Sequence, residues 1–145
     1  MARRQKTLLC IDDNQSSLKV CKMILEDLGY RVLTSSSARE GLEVFAAHAI
    51  DAVILDYQMP EMNGELVAAE MKRTNPGIPI LMLSGCVSLP ESTLLLVDEF
   101  VAKGDPVEFL LLAVRQVLSR GETRKPVGRI THPRVAYHDS ETGIV

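Results

Sequence analysis

Two adjacent carboxylates, Asp12-Asp13, follow one short apolar run, and a third, Asp56, closes another. A hydroxyl, Ser84, and an amine, Lys103, follow two later runs. Carboxylates brought together repel one another, and burial makes their joint ionisation costly. A divalent cation relieves that cost. Oxygen-only donors select a hard ion, and a site with positions left open for phosphate oxygens suits Mg²⁺ better than a closed calcium cage. Lys103 offers a compact positive charge opposite the acids, and Ser84 a hydroxyl donor for an incoming oxyanion. Together these groups suit phosphoryl chemistry with an Asp as nucleophile. A plain alternative exists at each position. Loops begin at strand ends, Asp12-Asp13 can serve as an N-cap pair favoured by a helix dipole, and Ser84-Gly85 can be a simple turn. Five residues of complementary type, each ending a strand, favour the functional reading.

The elements that must position them are legible as alternating patterns. Lys6 to Ile11 is an apolar run, and Leu18, Cys21, Ile24, Leu25 and Leu28 form a helical stripe ended by Gly29. Arg31 to Ser35 is strand-like. Ser37 and Glu40 make a capping box before a helix with Leu42 and Phe45 inward. Ala52 to Asp56 is a buried strand, 64–75 a helix stopped by Pro76-Gly77, and 78–84 a further strand. A short helix over 90–97 and a strand over 99–102 follow. Asp105-Pro106 opens the last helix, with Glu108 in its first turn. Its apolar face is Val107, Leu110, Leu111, Val114 and Leu118, and Arg120 and Gly121 close it. Five strands alternating with five helices predict an α/β fold, a parallel sheet covered on both faces. Right-handed crossovers and the chain length favour the doubly wound, flavodoxin-like order 2-1-3-4-5, where ligands gather at the carboxyl ends of the strands.

Composition narrows the function classes. The chain has 145 residues, 46% apolar and 24% charged, which suits one folded domain and excludes a wholly disordered chain. A net charge of −3 argues against direct nucleic-acid binding. Apolar runs are far shorter than the roughly 20 residues of a membrane span. The basic start is followed only by Thr7 to Ile11, too short for a secretory signal. Cys10, Cys21 and Cys86 are odd in number and lie among apolar neighbours, as buried thiols of a reducing, cytoplasmic compartment do. Charge divides unevenly, −5 over 1–118 and +2 over 119–145. The expected organisation is an N-terminal extension over 1–5, a domain over 6–120 and a flexible, mildly basic tail over 121–145.

The sequence resembles the receiver domain of bacterial two-component response regulators over about residues 6–120. The motifs that carry the resemblance are Asp12-Asp13, the segment from Asp56 through Gln58 and Pro60 to Gly64, Ser84, and Lys103. The resemblance implies that Asp56 accepts a phosphoryl group from a sensor histidine kinase, a phosphotransfer protein or a small phosphodonor. It implies a Mg²⁺ cofactor held by Asp12 and Asp13, with Asp13, Asp56 and the backbone carbonyl of Gln58 as direct ligands. Ser84 and Lys103 would contact the phosphoryl group. Phe100, three residues before Lys103, takes the place of the family's aromatic switch. It would turn inward on phosphorylation and reshape the surface of the fourth helix, fifth strand and fifth helix. That surface would meet an unknown downstream protein or a second copy of the chain. Chemistry beyond self-phosphorylation and dephosphorylation is not expected, so the chain is not expected to be an enzyme.

Four departures from the family pattern stand out. Gly104 replaces the usual proline after the lysine, removing a constraint on that loop. The spacing from Ser84 to Lys103 is about three residues shorter than in many relatives, which shortens the fourth-helix region. Phe100 lacks a hydroxyl, so switching would rest on packing. Gln58 and Cys86 occupy positions that tune phosphate lifetime. These leave a competing reading, a phosphorylation-independent interaction module. A haloacid-dehalogenase-like phosphatase needs a DxD pattern on its first strand, which Asp12-Asp13-Asn14 does not supply.

Overall fold

Five short apolar segments pair into one sheet in a computed structural model that describes residues 4–85 and 88–123. The strands are β1 (Thr7–Ile11), β2 (Arg31–Ser35), β3 (Ala52–Asp56), β4 (Ile80–Ser84) and β5 (Glu99–Ala102). They are all parallel, in the order β2-β1-β3-β4-β5, as the sequence predicts. The helices are α1 (Gln15–Asp27), α2 (Ala38–Ala47), α3 (Gly64–Thr74), α4 (Glu91–Leu96) and α5 (Val107–Thr123). Every residue of β1 and β3 is buried, the mark of strands covered on both faces.

Alternation along the strands sorts the core into two layers. Leu9, Ile11, Val53, Met82 and Phe100 pack beneath α2, α3 and α4 with Val67, Met71 and Leu94. Leu8, Cys10, Ile54, Leu81 and Val101 pack beneath α1 and α5 with Leu18, Leu25, Val114 and Val117. Caps set the helix starts: Asn14 accepts from Ser17 N, Ser37 from Glu40 N, and Asn63 from Leu66 N. Gly29, at φ +99°, takes the left-handed conformation that lets the chain leave α1.

Most element ends fall within a residue or two of the sequence reading, and α5 begins at Val107, after the expected Asp105-Pro106 start; three differences have a clear physical cause. β4 begins at Ile80 rather than Ile78, because Pro79 has no N–H to give a ladder and Ile78 N closes a turn onto Asn75 O. Pro90 caps α4 instead of joining it, so the expected short helix is six residues. Gly121 does not end α5, which runs on to Thr123; a glycine costs a helix only about 1 kcal/mol. The rest of the expected tail and Cys86 lie outside the described residues. Among the described residues no helix is long and apolar enough to cross a membrane.

Candidate functional site

Sheet register places the chemistry. Ile11 pairs with Leu55, so the next residue on each strand brings Asp12 level with Asp56. Asp56 pairs with Leu83, and Ser84 with Ala102, one residue before Lys103. By the two-residue period, Asp12, Asp56 and Lys103 share the side of Cys10, Ile54 and Val101, toward α1 and α5. Ser84 shares the side of Met82 and Phe100, toward α3 and α4.

The three carboxylates converge. Asp12, Asp13 and Asp56 each present an oxygen within 4.8 Å of the others, with Asp12 and Asp56 buried and Asp13 exposed at the rim. Lys103 Nζ lies 3.2 Å from Asp12 Oδ2 and 3.3 Å from Asp56 Oδ1. Asp12 Oδ1 also accepts from Asn14 N at 2.9 Å, which shapes the turn into α1. The plain reading of Asp12-Asp13 as an N-cap pair is thereby answered: Asn14 caps that helix, and the aspartates face the site.

Electrostatics follow from this crowding. Burial, and then the neighbouring Asp12 charge, push the Asp56 carboxyl up from 3.8 to about 7, against the pull of Lys103 and of the Gln58 N–H. Burial alone would lower the Lys103 ammonium, but the Asp56 and Asp12 charges prevail and hold it above its ordinary value. Three acids against one amine leave negative charge uncompensated, and all the acidic donors are hard oxygens. The donor set fits a divalent hard cation.

Two backbone features finish the site. Gln58 N donates to Asp56 Oδ1 at 3.3 Å, so the segment whose carbonyl the family resemblance makes a ligand lies against the carboxylate. Gly64 N donates to Tyr57 O at 2.7 Å, folding the loop back on β3. A Cβ at Gly64 would stand 2.7 Å from Asp56 O and 2.8 Å from Tyr57 Cα. Only a glycine fits there. The sequence motif contains Gly64, but nothing local tells that it backs Asp56.

Ser84 and Phe100 sit differently from the acids. Ser84 is wholly buried, and its carbonyl accepts from Lys103 N at 2.8 Å, tying the ends of β4 and β5. Phe100 is 2% exposed and lies in the core with Met82, Leu94 and Val97. The inward turn expected of this ring on phosphorylation is therefore already made in this structure. Register explains it: Phe100 pairs with Met82, whose side of the sheet is covered by α3 and α4. Sequence reading missed Thr93, buried on α4, whose hydroxyl donates to Glu65 Oε1 of α3 at 2.6 Å and ties the two helices together.

Known proteins share this fold. The family model of the response regulator receiver domain matches residues 8–104. The transcriptional regulatory protein GlrR of Escherichia coli K12 is 36% identical over 92 residues, 63% of this chain and 21% of that protein. The response regulator SaeR of Staphylococcus aureus is 32% identical over 116 residues, 78% of this chain and 50% of that one. The chain thus spans between a fifth and a half of these relatives. A CheY-like receiver domain protein from Methanospirillum hungatei superposes with a TM-score of 0.79 at 27% identity, covering 84% of this chain and 100% of that one. TrrA of Thermotoga maritima, solved in complex with Mg²⁺-BeF, gives 0.74 at 27% identity over 78% of this chain and 99% of its own.

Proposed function

Since the chain belongs to the response regulator receiver family of two-component signal transduction, we propose that Asp56 is its phospho-accepting residue. The observation that carries this reading is the convergence of Asp12, Asp13 and Asp56 within 4.8 Å beside Lys103. Asp13, Asp56 and the Gln58 carbonyl would hold Mg²⁺, with Asp12 supporting them. Bound there, the ion would neutralise the clustered carboxylates and the phosphoryl oxygens. That TrrA was solved with Mg²⁺-BeF supports this assignment.

The residues then have separate tasks. An Asp56 oxygen attacks phosphorus; the O–P bond forms as the P–N bond to the donor histidine breaks. The electron pair stays on the imidazole nitrogen, which takes its proton from solvent. Lys103, held protonated by the two carboxylates, favours the ionised nucleophile and faces the new phosphoryl oxygens. Ser84 supplies a hydroxyl donor once the end of β4 shifts toward the phosphate. The added charge biases a two-state surface formed by α4, β5 and α5, which a downstream protein or a second copy reads. The chemistry is confined to phosphorylation and dephosphorylation of the chain itself, in the cytoplasm.

The inward position of Phe100 favours a second reading, a receiver-shaped interaction module whose surface does not wait for phosphate. Intact-mass measurement after acetyl phosphate and Mg²⁺ separates the two. The phosphorylation reading predicts one added phosphoryl group in the native chain and none in Asp56→Asn. Addition that persists in Asp56→Asn, or none with any histidine-phosphate or acyl-phosphate donor, overturns it.

A further inference from the structure

We propose that Cys10 and Cys21 form a redox-modifiable dithiol, closing reversibly to an intramolecular disulfide when a hydroperoxide enters the cleft between α1 and α5. The two cysteines, eleven residues apart, are brought together by the fold. β1 sends Cys10 toward the α1–α5 layer, and the inward stripe of α1 carries Cys21 between Leu18 and Leu25. The two sulfurs meet at 3.7 Å, and both thiols are free.

Access distinguishes this pair from inert core thiols. A cleft of about 390 Å³ is lined by both cysteines, with Ser17, Lys103 and Val107 among its other walls. Peroxide is scarcely larger than water and enters such a space readily. Cys21, 9% exposed, stands nearer solvent than Cys10 at 2%. The hydrogen bond from Cys10 lowers the Cys21 thiol, favouring Cys21 as the attacking sulfur although burial opposes this.

The chemistry balances in two steps. The Cys21 thiolate attacks one peroxide oxygen and the O–O bond breaks. Cys21 becomes a sulfenic acid, and the leaving hydroxide takes the thiol proton as water. Cys10 sulfur then attacks Cys21 sulfur, expelling a second hydroxide that leaves as water with the Cys10 proton. Two thiols are oxidised and one peroxide is reduced. A cellular thiol reductant reverses the bond.

Closure must bring the sulfurs from 3.7 Å to about 2 Å. β1 is hydrogen-bonded to β2 and β3 on both sides, so α1 is the element that moves. The strain falls on the turn through Asp12, Asp13 and Asn14 that joins them.

The full reduced chain is treated with hydrogen peroxide, blocked with N-ethylmaleimide and mapped by trypsin without reduction. Cleavage at Lys19 and Lys22 separates the two cysteines. The expected product is a Cys10–Cys21 cross-linked peptide, removed by dithiothreitol, formed in the native chain and in Cys86→Ala and absent from Cys21→Ala. Oxidation confined to Cys86, bridges only between two chains, or Cys10 and Cys21 both fully alkylated under denaturant after oxidation would overturn the proposal. Because the native chain itself is mapped, a poorly folded variant does not obscure the result.

Discussion

The two ends of the sheet treat charge in opposite ways. Where the strands begin, each acid has its own cation: Asp51 with Arg4, Asp98 with Lys72, and Glu99 with Arg120. Backbone groups complete these pairs. Thr7 N donates to Asp51, Ile80 N to Asp98, and Arg120 to the Asp98 carbonyl. Where the strands finish, three acids face Lys103. One end is neutralised and stabilising; the other holds like charges together at a cost to the fold. Sites that bind a cation and an anion carry such costs, because the charge they need is supplied by the ligand.

Mutations should separate the ends by sign. The largest effect is expected from Glu99→Ala, which removes the carboxylate from the half-buried Arg120 guanidinium and leaves it the Asp98 carbonyl. Urea unfolding should show a loss of about 3 kcal/mol, with phosphoryl uptake unchanged in the folded protein. Gly64→Ala comes next, at about 2 kcal/mol, since its Cβ meets backbone rather than a flexible side chain. Unlike Glu99→Ala, it should also slow phosphoryl uptake by moving the strand end that carries Asp56.

Asp56→Asn should act in the opposite direction, stabilising the metal-free protein by about 1 kcal/mol at pH 8. The pH dependence follows from the same group. The Asp56 carboxyl rises from 3.8 to about 7 on folding, so the fold favours its neutral form. Its contribution is full below pH 3.8 and is lost as pH rises through 7. Metal-free stability should therefore decline across that window in the native chain. The decline should be weaker in Asp56→Asn, and Mg²⁺ should oppose it. The smallest effect belongs to Arg4→Ala, whose solvent-screened ion pair with Asp51 should leave the urea midpoint indistinguishable from that of the native chain.

The site was legible in the sequence because its residues sit at strand ends, and strand ends are set by local apolar runs. Asp12, Asp13, Asp56 and Lys103 needed only the strand order to be brought together. The opposite end was not legible. Glu99 and Arg120 are 21 residues apart and Lys72 and Asp98 are 26 apart, with no local pattern joining them. Cys10 and Cys21 read as separate buried thiols because which face Cys10 takes is decided by sheet pairing. The position of Phe100 is likewise a matter of packing between β5 and α4, beyond any rule of spacing.

If Asp12, Asp13 and Asp56 share one cation-sized hollow under the influence of Lys103, the Asp56 carboxyl must report it. Carboxyl ¹³C NMR of Asp56 across pH, with and without Mg²⁺, reads that group alone. The expected metal-free midpoint lies at about 7 and falls when Mg²⁺ is added. A midpoint at the ordinary 3.8, indifferent to Mg²⁺, would contradict it.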